Sequence, residues 1–138
     1  MTVHHAELRL RTASTAETIE ITGRVADTVT ASGVRAGICL VASTHTTAGI
    51  FINENADPDV QRDLIASLAR VIPEDAAYRH AEGNSPAHLR TILTGTDATV
   101  GVHDGRLALG RWQGIFVAEF DGPRERVIRV TVLGEPAG

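Results

Sequence analysis

The hydrophobic pattern divides the chain into eleven segments. Val3 to Arg11 alternates apolar and polar positions, with Val3, Leu8 and Leu10 apolar, and predicts a strand. Glu17 to Ile21 predicts a second, short one. Over Thr22 to Ser32 the spacing changes: Val25 and Val29 lie four apart, which suits a helix capped by Thr22 and stopped by Gly33. Gly37 to Thr44 is an apolar run rich in β-branched residues and predicts a buried strand, and Ile50 to Asn53 another.

Asp57-Pro58-Asp59 opens the clearest helix. Asp57 suits the cap and Pro58 the first helical position. Val60, Leu64 and Leu68 recur every four residues, Ile65 and Ile72 widen the stripe, and Pro73 ends it. Residues 73–84 are polar and predict a long loop, a feature that often serves function in a small domain. Ser85-Pro86 starts a third helix, with Leu89, Ile92 and Leu93 as its apolar face and Gly95 at its end. Four β segments follow: Thr99–Val102, Leu107–Leu109, Gln113–Phe120 and Val127–Leu133. Asp104-Gly105 is a hairpin signal, and Asp121-Gly122-Pro123-Arg124 a second turn. About eight strands and three helices, without a repeat or linker, predict one α+β domain over residues 1–138. Its simplest form is a mostly antiparallel sheet or sandwich with the helices to one side.

Composition narrows the function. With 138 residues, a hydrophobic fraction of 43% and a charged fraction of 22%, the chain can bury one core without disulfides. Cys39 is its one cysteine, so no intrachain disulfide forms. The longest uncharged run in the first half, Ala36 to Asn53, contains His45, threonines and glycines and is no transmembrane helix. The first residues show no basic region followed by an apolar stretch, so no signal peptide is expected and the expected location is the cytoplasm. A net charge of −4 disfavours nucleic acid as a partner. All basic side chains are arginine, which excludes lysine Schiff-base and P-loop chemistry.

Three of the six histidines stand where elements start or stop: His45, His80 and His88. Strand alternation puts His45 on the side of Cys39 and Val41. His88 would sit in the first turn of the third helix, and a helix N-terminus favours neutral imidazole, the form that binds metal. Three histidines with an open fourth position make a catalytic zinc geometry, although their spacing here fits unrelated polar histidines equally. The stretch Gly83-Asn84-Ser85 before the third helix suits an anion pocket built from free N–H groups, or an ordinary cap. Thr44, Thr46 and Thr47 offer hydroxyls to phosphate, or serve the turn. Glu54 at a strand end is a candidate general base. Asp57, Asp59 and Asp63 offer oxygens to magnesium, and the first two equally suit a helix start. Glu119 interrupts an apolar strand on the face of Ile115 and Val117. Such a carboxylate sits at a rim or is paired, and Arg124 or Arg126 is its candidate partner. Trp112 reads as core or interface.

Taken together, Thr44–Leu64 (THTTAGIFINENADPDVQRDL), His80–Thr96 (HAEGNSPAHLRTILTGT), Gly105–Arg126 (GRLALGRWQGIFVAEFDGPRER) and the closing RVTVLGE resemble the YjbQ family, whose members are called secondary thiamine-phosphate synthases. The resemblance covers nearly the whole chain with the motifs in order. One departure is Gly101, where the family often has proline. The resemblance implies a compact α+β fold around a β-sandwich, and a homotrimer with sites near the subunit interfaces. It also places the family's histidine pattern on His45, His80 and His88, with Glu54, Asn84 and Glu119 at further motif positions.

The activity so implied joins a pyrimidine pyrophosphate to a thiazole phosphate and releases pyrophosphate. On this reading His45, His80 and His88 hold a divalent metal, zinc or magnesium, or contact phosphate directly. His45, Glu54 and Glu119 are candidate catalytic groups. Thr46, Thr47, Gly83, Asn84, Ser85 and Arg124 are candidate contacts to a small phosphorylated metabolite. Two rival readings share the residues: metal-assisted hydrolysis of a small metabolite, with Glu54 or Glu82 as base, and a non-catalytic trimer that binds a small anion.

Overall fold

The computed structural model describes all residues, 1–138. Eight strands and three helices follow in the order β1 (Thr2–Arg11), β2 (Glu17–Glu20), α1 (Thr22–Ser32), β3 (Val34–Ser43), β4 (Ala48–Glu54), α2 (Pro58–Val71), α3 (Ser85–Thr94), β5 (Asp97–His103), β6 (Arg106–Leu107), β7 (Gln113–Glu119) and β8 (Glu125–Pro136). All strand pairs are antiparallel. They form a five-stranded sheet in the order β1-β8-β3-β5-β6 and a three-stranded sheet in the order β2-β7-β4.

Alternation along each strand makes the core. From the larger sheet Cys39, Val41, Val100, Val102, Ile128, Val130 and Val132 face inward. Ala48, Ile50, Ile115 and Val117 meet them from the smaller sheet. Val25 and Val29 of α1 join the same core, four residues apart as expected. The other face of the smaller sheet carries Ala118 and Phe120, and Ala87 of α3 packs there with Phe51, Ile65 and Leu68 alongside. The Phe51 and Phe116 rings stack at 5.0 Å. The chain is therefore the expected single α+β domain, a sandwich with α2 and α3 outside its smaller sheet.

Local signals hold at most element ends. Gly33 stops α1 in the left-handed region, at φ 72°. Asp57 caps α2 by accepting the Asp59 N–H at 2.9 Å. Asp104 and Gly105 both take positive φ in the β5–β6 hairpin. The Gly122–Pro123 bond in the β7–β8 turn is cis.

Three expectations fail. Thr22 does not cap α1: Ile21 takes that position, and the Thr22 hydroxyl accepts the Ile115 N–H at 2.8 Å, tying the corner to β7. β3 begins three residues earlier than its apolar run because the Val34–Ala36 segment bulges and still pairs with β8. The third failure is α3. Leu89, Ile92 and Leu93 are 40%, 72% and 60% exposed, while Pro86, Ala87, Arg90 and Thr91 are buried. Small Ala87 lets the helix seat on the sheet, and Arg90 turns inward to the Ile72 carbonyl and Glu74. The larger apolar side chains then point outward as a ridge. Trp112 is 55% exposed, and the Arg111 guanidinium lies 4.8 Å from its ring centre.

Gly37 and Gly134 face each other where β3 and β8 approach most closely. A Cβ on Gly134 would stand 2.2 Å from the Ala36 carbonyl oxygen, and one on Gly37 2.0 Å from that of Leu133. Backbone cannot yield as a side chain can. Gly134→Ala should therefore lower stability by about 1–3 kcal/mol. Gly23→Ala in α1, where a Cβ meets nothing within 4 Å, should leave it unchanged or raise it. Thermal unfolding of the two variants beside the parent checks both.

Candidate functional site

Three stretches singled out by the sequence meet at one end of the sandwich. They are the β3–β4 turn with His45 to Thr47, the start of α3 with Asn84 and Ser85, and the β7–β8 turn from Glu119 to Arg126. Hydrogen bonds join them in series. His45 Nε2 accepts the Val127 N–H at 2.9 Å, and the Thr44 hydroxyl donates to the Val127 carbonyl at 2.7 Å. Next to Val127, Arg126 donates to the Thr47 hydroxyl oxygen at 2.9 Å and to Glu119. Glu119 also accepts the Asp121 N–H at 3.0 Å, and Asp121 Oδ2 accepts from Asn84 Nδ2 at 2.8 Å.

Glu119 and Arg126 are the centre of this array. They are 0% and 1% exposed, the most deeply buried ion pair in the chain. Arg126 Nε donates to Glu119 Oε1 at 2.8 Å, and Arg126 Nη2 donates to Oε2. The Thr12 hydroxyl donates to Oε1 at 2.7 Å and accepts the Arg124 N–H at 2.9 Å. Burial alone would raise the Glu119 pKa. The hydrogen bonds from Arg126, the Asp121 N–H and Thr12, with the Arg126 charge, outweigh it and hold the carboxyl below its ordinary value.

That arrangement bears on the catalytic role expected of Glu119 and chooses between its two candidate partners. Both Glu119 oxygens are saturated and shielded from solvent, so the residue positions others and is not placed to move a proton. Its partner is Arg126; Arg124 instead grips Asp121, from Nη2 to Oδ2 at 3.0 Å and from Nε to the carbonyl at 2.8 Å. Thr47 is likewise committed to Arg126 and buried, whereas Thr46 is exposed.

At the start of α3 the anion pocket is smaller than expected. Pro86 has no N–H, and the Ala87 and His88 N–H groups both go to the Asn84 carbonyl, at 3.1 and 3.4 Å. At most the Ser85 N–H remains for a ligand. The Gly83 N–H turns back to the His80 carbonyl at 3.2 Å, with Gly83 at φ 74°. Asn84 gives its amide N–H to Asp121 instead of capping the helix, and its Oδ1 is buried without a partner.

His80 and His88 meet. Their rings stand edge to face, 5.1 Å between centres, beside a hollow of about 260 Å³ lined also by Tyr78, Ser85 and Leu89. His45 does not join them: no three His, Cys, Asp or Glu side chains in the chain gather closely enough to hold a metal ion. The three-histidine centre is therefore not assembled within one chain. Its second shortfall is Glu54. β4 runs from Ala48 to Glu54, which puts Glu54 roughly 20 Å along the strand from Thr47, at the opposite end of the sandwich. The acidic run has structural partners too: Asp57 caps α2, and Asp59 pairs with Arg62 at 2.7 Å.

Burial lowers the His45 pKa from 6.5, helped by the Arg126 and Arg124 charges and opposed by Glu119. The imidazole is thus neutral at neutral pH, as its acceptor role at Nε2 requires. The same physics makes Cys39 inert: burial pushes its thiol up to about 11. Asp121 is the residue sequence reasoning missed. The turn signal Asp-Gly-Pro-Arg concealed it, although an Asp and an Arg three apart across a tight turn are well placed to pair. Two further hollows flank α2, of about 280 and 640 Å³, and neither contains a histidine. No helix is long and apolar enough to cross a membrane.

Residues 6–135 match the family described as UPF0047 protein YjbQ-like. The UPF0047 protein MJ1081 of Methanocaldococcus jannaschii is 44% identical, over 92% of this chain and 92% of its own length. YugU of Bacillus subtilis is also 44% identical, over 92% of this chain and 97% of its own. Among solved structures, a YjbQ/UPF0047-family protein of Clostridium acetobutylicum superimposes with a TM-score of 0.91. It is 46% identical and covers 93% of this chain and 99% of that one. A YbjQ-like protein of unknown function from Sulfolobus solfataricus gives a TM-score of 0.93 at 34% identity, over 96% and 98%.

Two measurements test the array. Arg126→Met leaves a buried carboxylate unpaired and should cost about 3–5 kcal/mol in chemical denaturation. The His45 imidazole is harder to protonate in the folded chain than in the unfolded one, so unfolded chains bind the proton first as pH falls. Stability should then decline as pH falls below about 6.5, and His45→Gln should flatten that slope. Melting temperatures across this range check it.

Proposed function

Because the chain belongs to the YjbQ-like UPF0047 family, we propose that it is a small-metabolite enzyme of the thiamine-phosphate synthase type, with its site at this end of the sandwich. The observation that carries the reading is the hydrogen-bonded union of the turn at 44–47, the start of α3 and the turn at 119–126. Three stretches distant in sequence supply imidazoles, an arginine and hydroxyls to one region.

The reaction forms a carbon–nitrogen bond between thiazole and pyrimidine while the carbon–oxygen bond to pyrophosphate breaks. Its main demand is neutralisation of charge on the departing pyrophosphate. Groups still free for that work are the Thr46 hydroxyl, Ser85 and the outer N–H groups of Arg124, which is half exposed. Asp121 holds Arg124 by two contacts and so aims it. Asn84 contributes by fixing Asp121, to whose Oδ2 its Nδ2 donates.

A divalent metal, zinc or magnesium, would take His80 and His88 as two ligands and supply positive charge to phosphate oxygens. One chain offers no third ligand among its histidines and carboxylates. The remaining positions would fall to substrate or to a neighbouring copy. The homotrimer belongs to the same proposal. What supports it is the outward ridge of Leu89, Ile92 and Leu93 beside the His80–His88 hollow, a concentration of exposed apolar side chains that a subunit contact would cover.

Pyrophosphate release from a pyrimidine pyrophosphate and a thiazole phosphate tests the reading. Turnover should require added divalent metal, stop with a chelator, and fall at least ~10-fold in His88→Ala. Product formation indifferent to both chelation and His88→Ala would overturn it. Stabilisation of the protein by phosphorylated metabolites, without turnover of any of them, would favour a binding protein instead.

A further inference from the structure

The loop that carries His80 is twelve residues long, from 73 to 84, and a free connection of that length would not hold an imidazole in one place. Its root is clamped from α3. Arg90, 6% exposed, donates from both Nε and Nη2 to the Ile72 carbonyl, at 3.2 and 2.6 Å, and from Nη1 to Glu74 at 3.0 Å. The clamp continues into the loop: the Tyr78 hydroxyl donates to the Pro73 carbonyl at 2.5 Å, next to the residue Arg90 holds. The Tyr78 ring then forms one wall of the hollow that contains His80 and His88.

We infer that Arg90 and Tyr78 form a brace that sets the position of His80 against His88, making both of them positioning residues for the proposed site. The brace is economical in geometry. Arg90 and His88 stand two residues apart on α3, on different sides of the helix. The loop is held at its start by Arg90, and further along it brings His80 against His88. α3 therefore holds the loop at both ends, through Arg90 at its start and through the chain itself at Ser85, and Tyr78 ties its middle back to Pro73. A buried arginine suits the task because its planar fork presents several donors at set angles, which a lysine cannot reproduce. The inference rests on the proposed function for its purpose, but its geometry can be tested without any metal or substrate.

The test is a nuclear Overhauser measurement between the His80 and His88 rings in metal-free protein, for the parent, Tyr78→Phe, Arg90→Lys and Arg90→Met. Circular dichroism and thermal unfolding run beside it. The parent should show the ring-to-ring cross-peak. Tyr78→Phe removes one hydroxyl and should keep the fold yet lose the cross-peak. Arg90→Met should lose it too, and Arg90→Lys should restore part of it. If Arg90→Met fails to fold, Tyr78→Phe alone decides. An undiminished cross-peak in folded Tyr78→Phe overturns the brace.

Zinc titration of the same proteins separates this inference from the functional one. Loss of positioning should weaken zinc binding about 10–100-fold, as loss of outer-shell support commonly does. A parent protein that binds no zinc, with a cross-peak that still vanishes in the variants, would uphold the brace and remove the metal from the proposed function.

Discussion

The buried pair of Glu119 and Arg126 is the constraint around which this end of the molecule is built. Two opposite charges out of water are tolerable only when each finds partners for nearly all its hydrogen-bonding positions. Meeting that demand brings in the Thr12 hydroxyl, the Asp121 N–H and Thr47. These partners come from the end of β1, the β7–β8 turn and the β3–β4 turn. The need to satisfy one ion pair thus fixes where three separate segments lie. Asp121, placed by its bond to Glu119, then extends the array to Asn84 on α3 and to Arg124.

This arrangement separates two kinds of polar residue that a sequence shows side by side. Glu119, Arg126, Thr47 and Thr12 are spent on structure. Thr46, Ser85, His80, His88 and the outer edge of Arg124 remain open to a ligand. The inner group is buried and tied together by hydrogen bonds, and it holds the outer group in place. His45 lies between them, its Nε2 committed to backbone and its ring kept neutral by burial and by the neighbouring arginines. The Arg90–Tyr78 brace performs the same service for the loop that carries His80.

Most of the fold was legible in the sequence because local rules decide it. Period-two alternation marked the strands, four-residue spacing marked the helices, and Asp57, Gly33 and Asp104-Gly105 marked ends and turns. What failed had tertiary causes. The helical stripe of α3 pointed to Leu89, Ile92 and Leu93 as the buried face, but the sheet surface at Ala118 and Phe120 accepts small Ala87, and Arg90 is drawn inward by the Ile72 carbonyl. In the site, the proximity of His80 to His88 was foreseeable from a loop running into a helix. The separation of His45 and the remoteness of Glu54 were not, because strand direction sets which end of the sandwich a residue reaches. Asp121 was hidden by its turn motif, and only its bond to Asn84 reveals the role.

The claim that one ion pair organises the site is tested most directly by amide hydrogen exchange in Glu119→Gln beside the parent. Glutamine keeps the shape and removes the charge. Exchange should then speed up together at Asp121, Val127 and the first turn of α3, with the central strands β3 and β8 protected as before beyond Val127. Exchange that rises at Asp121 alone, leaving Val127 and α3 unchanged, would contradict it.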